Sequence, residues 1–180
     1  MRILLLAYYH PRYMKPLMYW GGVFRSIGWS VKEMYPDAFY KEEVLDELAN
    51  DYDLIVYFGH GIPGVWNGFG FITSGDIACV PNNKSRIVIS LSCYSLCGRK
   101  SIGDAFLSGS SASSVIGYDD RIKYEENIKV LDGLFSAIAE SGISGAVLEN
   151  AVIGTGNVHL KFVSNSPEIK SPISSTGASG

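Results

Sequence analysis

An α/β fold, a three-layer sandwich whose mostly parallel sheet of about six strands is flanked by helices, follows from three features of this sequence. Two apolar runs, Asp53-Leu54-Ile55-Val56-Tyr57-Phe58-Gly59-His60-Gly61 and Arg86-Ile87-Val88-Ile89-Ser90-Leu91-Ser92-Cys93-Tyr94-Ser95, are rich in β-branched and aromatic residues. Bounded by polar or turn residues, they read as strands buried on both faces of a parallel sheet. Around them, segments of helical period alternate with strand-like segments, the order that winds a sheet in both directions. The third feature is size: 180 residues, 47% hydrophobic and 18% charged, make one domain able to enclose a core.

The elements follow in order. Residues 2–9 form a first strand; Arg2 and the short apolar stretch after it resemble a secretion signal, but no small-residue cleavage site follows. Tyr13 to Ile27 is read as helix despite Gly21-Gly22, each glycine costing about 1 kcal/mol in a helix interior. Trp29 to Met34 is a short second strand. Asp37 can cap a helix to about Asn50, with Val44, Leu45 and Leu48 as its apolar stripe. The third strand is 53–58. Residues 61–83 carry turn signals and no helical period, and predict a loop or small hairpin around Trp66-Asn67-Gly68-Phe69-Gly70.

The fourth strand, 86–91, leads to Cys93. Ser101-Ile102-Gly103-Asp104 fits a capping-box start for a helix to about Leu107, and Ser113 to Gly117 is a fifth strand. Val130, Leu131, Leu134, Phe135 and Ile138 recur at helical spacing until Gly142 stops the element. A short helix at about 144–153 precedes Val158-His159-Leu160-Lys161-Phe162, whose alternation predicts an edge strand with one wet face. Residues 164–180, with their Ser, Gly and Pro content, predict a flexible tail.

Fifteen basic and eighteen acidic residues leave a net charge of −3, too balanced for nucleic acid or a charged membrane as the main partner. Apolar stretches fall short of the ~20 residues of a membrane span. Three cysteines, Cys79, Cys93 and Cys97, have no framework spacing and favour a reducing, cytoplasmic setting.

Parallel neighbours put their C-terminal ends on one rim, where open α/β sheets hold ligands. His60 and Cys93 each follow such a strand, so the topology brings them to one rim as a Cys-His dyad. Set against this are a turn histidine bonded to a backbone carbonyl and a cysteine acting as a small hydrophobe. Cys97, four residues on, could join Cys93 in a metal or redox pair but lacks a third ligand, so no metal is expected. Cys79 reads as a packing residue and His159 as solvent-exposed. His10 follows the first strand and should reach the same rim, where a structural histidine before Pro11 is one reading. Asp119 and Asp120 could wall a pocket for a basic side chain or form a solvated turn. No Gly-rich phosphate loop follows the first strand, which disfavours a flavodoxin-like nucleotide or flavin binder.

These residues resemble the caspase–gingipain superfamily of cysteine peptidases. The similar motifs are a hydrophobic strand ending in His60-Gly61 and a later one ending in Ser92-Cys93. The helix Ser101-Ile102-Gly103-Asp104-Ala105-Phe106 and the strand closing on Gly117 are similar to gingipain-type and bacterial caspase-like domains, as is the separation of 33 positions between His60 and Cys93. The likeness is best over residues 53–118 and rests elsewhere on element order.

The resemblance implies a caspase-like peptidase domain over residues 1–163, with Cys93 as nucleophile, His60 as acid–base partner, and the N–H groups of Gly61 and Cys93 as the oxyanion hole. It implies a peptide or protein substrate and no cofactor; separately, the expected edge strand offers a place for a homodimer to form. One departure matters: caspases and metacaspases carry a polar or acidic residue two before the cysteine, and here that residue is Leu91. With His10, Leu91, Asp119 and Asp120 as candidate pocket walls, the two carboxylates would favour cleavage after basic residues. The alternative is a catalytically inactive caspase-like binding or assembly module.

Overall fold

The computed structural model describes residues 1–35, 40–81, 86–109 and 112–165. Its centre is a six-stranded sheet of β1 (Arg2–Ala7), β2 (Ser30–Met34), β3 (Leu54–Phe58), β7 (Arg86–Leu91), β8 (Ala112–Tyr118) and β9 (Leu160–Ser164), with strand order β2-β1-β3-β7-β8-β9. The first five run parallel; β9 pairs antiparallel with β8 and forms the edge. All five residues of β3 and all six of β7 are buried. Alternation sends Leu54, Val56 and Phe58 to one face of the sheet and Ile55 and Tyr57 to the other, and each face has its own core.

One face is covered by α1 (Pro11–Ser26), α5 (Tyr124–Ser141) and α6 (Gly145–Gly154); the other by α2 (Lys41–Leu48), α3 (Ser74–Ala78) and α4 (Ile102–Gly109). Helix α1 continues unbroken through Gly21-Gly22. It buries Tyr13, Leu17, Trp20 and Phe24, and at about 2 kcal/mol for each large apolar side chain this outweighs two glycine penalties. A Cβ on Gly21 would meet the Glu33 carboxylate and a Leu5 methyl at 3.3 Å, so the glycine lets the helix settle on β1 and β2.

Several boundaries differ from the sequence expectation. Strand β1 ends at Ala7, and β9 starts two residues later than expected, at Leu160. Asp37 lies outside the described residues; α2 begins after Tyr40, whose N–H donates to the Glu43 carboxylate at 2.7 Å. Residues 60–78 are more ordered than a loop. They form a small antiparallel sheet of β4 (His60–Ile62), β5 (Val65–Asn67) and β6 (Ile72–Thr73), then α3. Thr73 Oγ1 accepts from Asp76 N–H at 3.2 Å, and the Asp76 carboxylate accepts from Thr73 N–H at 2.7 Å, a capping box that starts a helix too short to show a period. The expected box at Ser101 and Asp104 forms at 3.0 and 3.2 Å. Of the expected tail, Ser164 closes β9, and Asn165 Nδ2 donates to the carbonyls of Leu107 and Ala112 at 2.7 and 3.1 Å.

Among the described residues no helix is long and apolar enough to cross a membrane.

Candidate active site

The chain reverses its winding direction between β1 and β3, which stay paired to their ends while the segments after them leave to opposite faces of the sheet, the arrangement that opens a crevice at this rim. A cavity of about 560 Å³ opens at this rim, lined by Arg12 and Tyr13 after β1, Gly59 and His60 after β3, Cys93 after β7 and residues 121–125 after β8. His60 and Cys93 therefore share one cavity. A larger groove of about 700 Å³ lies between α5 and the α6–β9 connection, and neither a cysteine nor His60 lines it.

Cys93 sits on a tight turn. Tyr94 adopts φ 59°, a left-handed conformation uncommon for a non-glycine residue and one that recurs at functional turns. Buried serines hold this turn. Ser95 Oγ donates to Ser90 O and accepts from Tyr118 N–H, both at 3.0 Å, tying the turn to β7 and β8. Ser92 Oγ lies 3.2 Å from Ser90 Oγ, which accepts from Trp66 Nε1 at 2.8 Å. Buried Asn127 on α5 accepts from Tyr118 OH at 2.9 Å and donates to Leu91 O at 3.0 Å. The sulfur itself accepts from Ile122 N–H at 3.4 Å and lies 3.7 Å from Ile122 O. The Cys93 N–H makes no hydrogen bond among the described residues.

His60 is held by rings. The ring centroid of Tyr8 is 4.7 Å away and that of Tyr13 is 5.1 Å away, both edge-on, and the Tyr13 hydroxyl lies 3.2 Å from His60 Nε2. Tyr57 OH donates to His60 O at 2.9 Å. The histidine pKa falls below its ordinary 6.5 chiefly because the site is partly desolvated, with the Arg12 charge and then His10 as lesser causes. Burial raises the Tyr13 pKa, so its hydroxyl stays protonated at neutral pH.

Gly61 joins the two supports. A Cβ there would lie 2.6 Å from Cys93 O and 2.9 Å from Ser92 Oγ, so only glycine lets the two segments meet.

The remaining expectations fare differently. His10 caps α1, its Nδ1 accepting from Arg12 N–H at 3.2 Å, and is not part of the cavity lining. Leu91 is no pocket wall: it is the last residue of β7, and strand alternation buries its side chain completely in the core under α1 and α5. Asp119 turns away to His159 Nδ1 at 3.1 Å and Lys161 Nζ at 3.4 Å, which also gives His159 a partner instead of plain solvent. Asp120 accepts from Arg121 N–H at 2.6 Å, and neither carboxylate lines the cavity. Cys79 is exposed and so is not a packing residue. No group of three His, Cys, Asp or Glu among the described residues could hold a metal ion.

Sequence reasoning passed over Arg12, Tyr13, Ile122 and Asn127. Asn127 left a signal, as the polar residue three and four positions before Val130 and Leu131 in one apolar stripe. Tyr124 has a local cause: Pro16 has no N–H for the carbonyl four residues earlier, and Tyr124 OH donates to that Arg12 O at 2.7 Å.

The sheet order and flanking helices are those of the caspase-like cysteine peptidase fold. The chain belongs to peptidase family C25, whose family model matches residues 9–171. Among solved structures it is similar to RgpB of Porphyromonas gingivalis in the complex of its pro- and mature domains, with TM-score 0.73 and 12% identity over 86% of this chain and 42% of that one. A structure of the Arg-specific cysteine proteinase gingipain R aligns equally well, at 12% identity over 86% of this chain and 41% of that one, with TM-score 0.73. Separase in the Saccharomyces cerevisiae separase–securin complex aligns with TM-score 0.61 and 19% identity over 85% of this chain and 10% of that one. The chain thus spans less than half the length of these structures. No curated protein matches it.

Proposed function

We propose that this domain is a cysteine peptidase that cleaves peptide or protein substrates, with Cys93 as nucleophile and His60 as proton-transfer partner. The observation that carries the reading is their shared cavity, with Cys93 on a strained turn. His60, neutral at pH 7 by its lowered pKa, takes the Cys93 proton as sulfur attacks the peptide carbonyl carbon. The carbonyl oxygen gains the negative charge, and the N–H groups of Cys93 and Gly61 are its proposed donors. Collapse breaks the C–N bond, and the imidazolium passes its proton to the departing amine. Water, deprotonated by His60, then attacks the thioester, the C–S bond breaks, and the thiol is restored with the released acid.

The support for the oxyanion site is the unbonded Cys93 N–H and the seating of Gly61 against the Cys93 backbone. A test is labelling by a peptidyl chloromethyl ketone, in which sulfur displaces chloride and forms a thioether. One adduct at Cys93, lost in Cys93→Ala and slowed at least tenfold in His60→Ala, is the expected outcome, since general base catalysis contributes roughly a hundredfold or more. Equal labelling of Cys79, Cys93 and Cys97 would instead favour the inactive module.

A further inference from the structure

The cavity around Cys93 carries more positive than negative charge. Its charged lining residues are Arg12, Arg121, Lys123 and Glu125. Glu125 is already engaged: its Oε1 accepts from Arg12 at 2.8 Å, and its side chain is largely exposed. An exposed pair of this kind is worth little and is readily exchanged, so Glu125 can yield the guanidinium to an incoming carboxylate, while Arg121 and Lys123 leave the cavity with a positive balance. Arg12 itself is held in place, its guanidinium carbon 3.7 Å from the Tyr124 ring centroid while the Tyr124 hydroxyl grips the Arg12 carbonyl. A guanidinium has five N–H donors, and the bond to Glu125 uses one of its nitrogens, which leaves donors for a bidentate carboxylate.

The other two cations flank the nucleophile. Arg121 and Lys123 stand on either side of Ile122, whose N–H points at the Cys93 sulfur. Among the described residues neither forms an ion pair. The carboxylates from which a basic preference was expected lie elsewhere, Asp119 being taken up by His159 and Lys161.

We propose that this cavity selects an acidic side chain on the residue whose carbonyl Cys93 attacks, with Arg12 as the residue that reads it and Arg121 and Lys123 adding to the field. The selection rests on the peptidase reading above. A carboxylate entering the cavity exchanges water for charge-assisted hydrogen bonds to Arg12. A lysine or arginine there would sit among three cations with its nearest carboxylate already paired, and an apolar side chain would leave the Arg12 donors unused.

The test uses acetyl-tripeptidyl chloromethyl ketones ending in Asp, Asn, Leu or Lys. Alkylation of Cys93 is followed by intact-protein mass spectrometry, and each rate is normalised to that of neutral iodoacetamide on the same protein. The Asp probe is expected to react roughly ten- to a hundredfold faster than its isosteric Asn counterpart, the span of a hydrogen bond to a charged group. Arg12→Gln should reduce that ratio to about threefold or less, and Arg121→Gln with Lys123→Gln should reduce it partially; the second variant keeps the test sound should the first fail to fold. A ratio near one, or the Lys or Leu probe reacting fastest, overturns the proposal.

Peptides with a free or amidated C-terminus separate the two sources of a carboxylate. Cleavage confined to the last bond of the free acid assigns the site to a chain terminus and overturns the side-chain assignment. If iodoacetamide reaches Cys93 but no peptide ketone does, the peptidase reading fails and this proposal with it. If peptide ketones react without preference for Asp, only the specificity fails.

Discussion

The turn that carries Cys93 is held by buried side chains with polar groups, whereas the segment that carries His60 is held by aromatic rings and a small antiparallel sheet. Ser90, Ser92, Ser95 and Asn127 are each at most 3% exposed, and their bonds reach β7, β8 and α5. Around His60 stand Tyr8 and Tyr13, open on one side to the cavity. Buried polar networks are costly when broken, because the abandoned partner cannot turn to water. Ring contacts near solvent are individually worth about 0.5–1.5 kcal/mol and adjust more readily. The cysteine support is therefore the costlier of the two to break.

The largest expected effect breaks the cysteine side. Asn127→Ala leaves the buried Tyr118 hydroxyl without its acceptor, while Leu91 O keeps the bond from Gly59 N–H at 3.2 Å. A loss of about 2–3 kcal/mol in urea unfolding is expected, the cost of one buried unsatisfied group and its lost packing. A loss under ~0.5 kcal/mol would mean the network does not hold the turn. Gly61→Ala comes next and strikes where the two supports meet. Its methyl group would lie 2.6 Å from a backbone oxygen that cannot rotate away. A destabilisation of about 1–3 kcal/mol is expected, the range for overpacking, together with lower Cys93 reactivity toward peptide ketones but less change toward iodoacetamide. Equal loss toward both reagents would place the damage at the thiol and not between the segments.

Tyr13→Phe is expected to be smaller in stability and more telling in chemistry. The ring and its packing remain, and only the hydroxyl 3.2 Å from His60 Nε2 is removed. In the proposed role this hydroxyl accepts from Nε2–H, which leaves the Nδ1 lone pair free to take a proton, so Tyr13 is a positioning residue. Stability should change by about 1 kcal/mol or less, while normalised peptide-ketone labelling falls several-fold and the populations of the two imidazole tautomers, read by ¹⁵N NMR, shift. Unchanged tautomer populations would make Tyr13 a packing residue alone.

The same contrast explains what the sequence could and could not reveal. Leu54–Phe58 and Arg86–Leu91 advertise themselves because burial on both faces leaves no polar position in between, apart from Ser90 and the buried Arg86 at the strand start. Strand order then brings His60 and Cys93 to one rim. The supporting groups act across long separations with no periodic trace: Tyr13 meets His60 over 47 positions, and Ile122 meets Cys93 over 29. Asp119 misled for a related reason. Being two residues past Gly117 suggests proximity to the rim, but the antiparallel partner β9 brings Lys161 beside Gly117, and Asp119 turns to that edge. Residues 74–78 were missed because five residues cannot show a helical period, although Thr73 and Asp76 spell the capping box that starts them.

The smallest effect concerns charge, and it sharpens the comparison because Arg12 acts on the histidine side. Partial desolvation is the larger cause that holds the His60 pKa below 6.5, followed by Arg12 and then His10. Between the folded pKa and 6.5 the unfolded chain binds more protons than the folded one, so His60 adds a stability that rises with pH across that window and declines as pH falls below 6.5. The His60 Cε1–H resonance should accordingly titrate with a midpoint below 6.5. Arg12→Gln removes one opposing cation and leaves the rings in place, so the midpoint should move up toward 6.5 without passing it, since desolvation persists. Raising the salt concentration should move the wild type in the same direction by screening Arg12, and should move the variant less. A wild-type midpoint at or above 6.5, or one indifferent to both the substitution and salt, would show that the Arg12 field does not reach the imidazole. That result would also weaken the assignment of Arg12 as the reader of an acidic substrate, because a cation too remote or too screened to perturb His60 could not discriminate aspartate from asparagine in the same cavity.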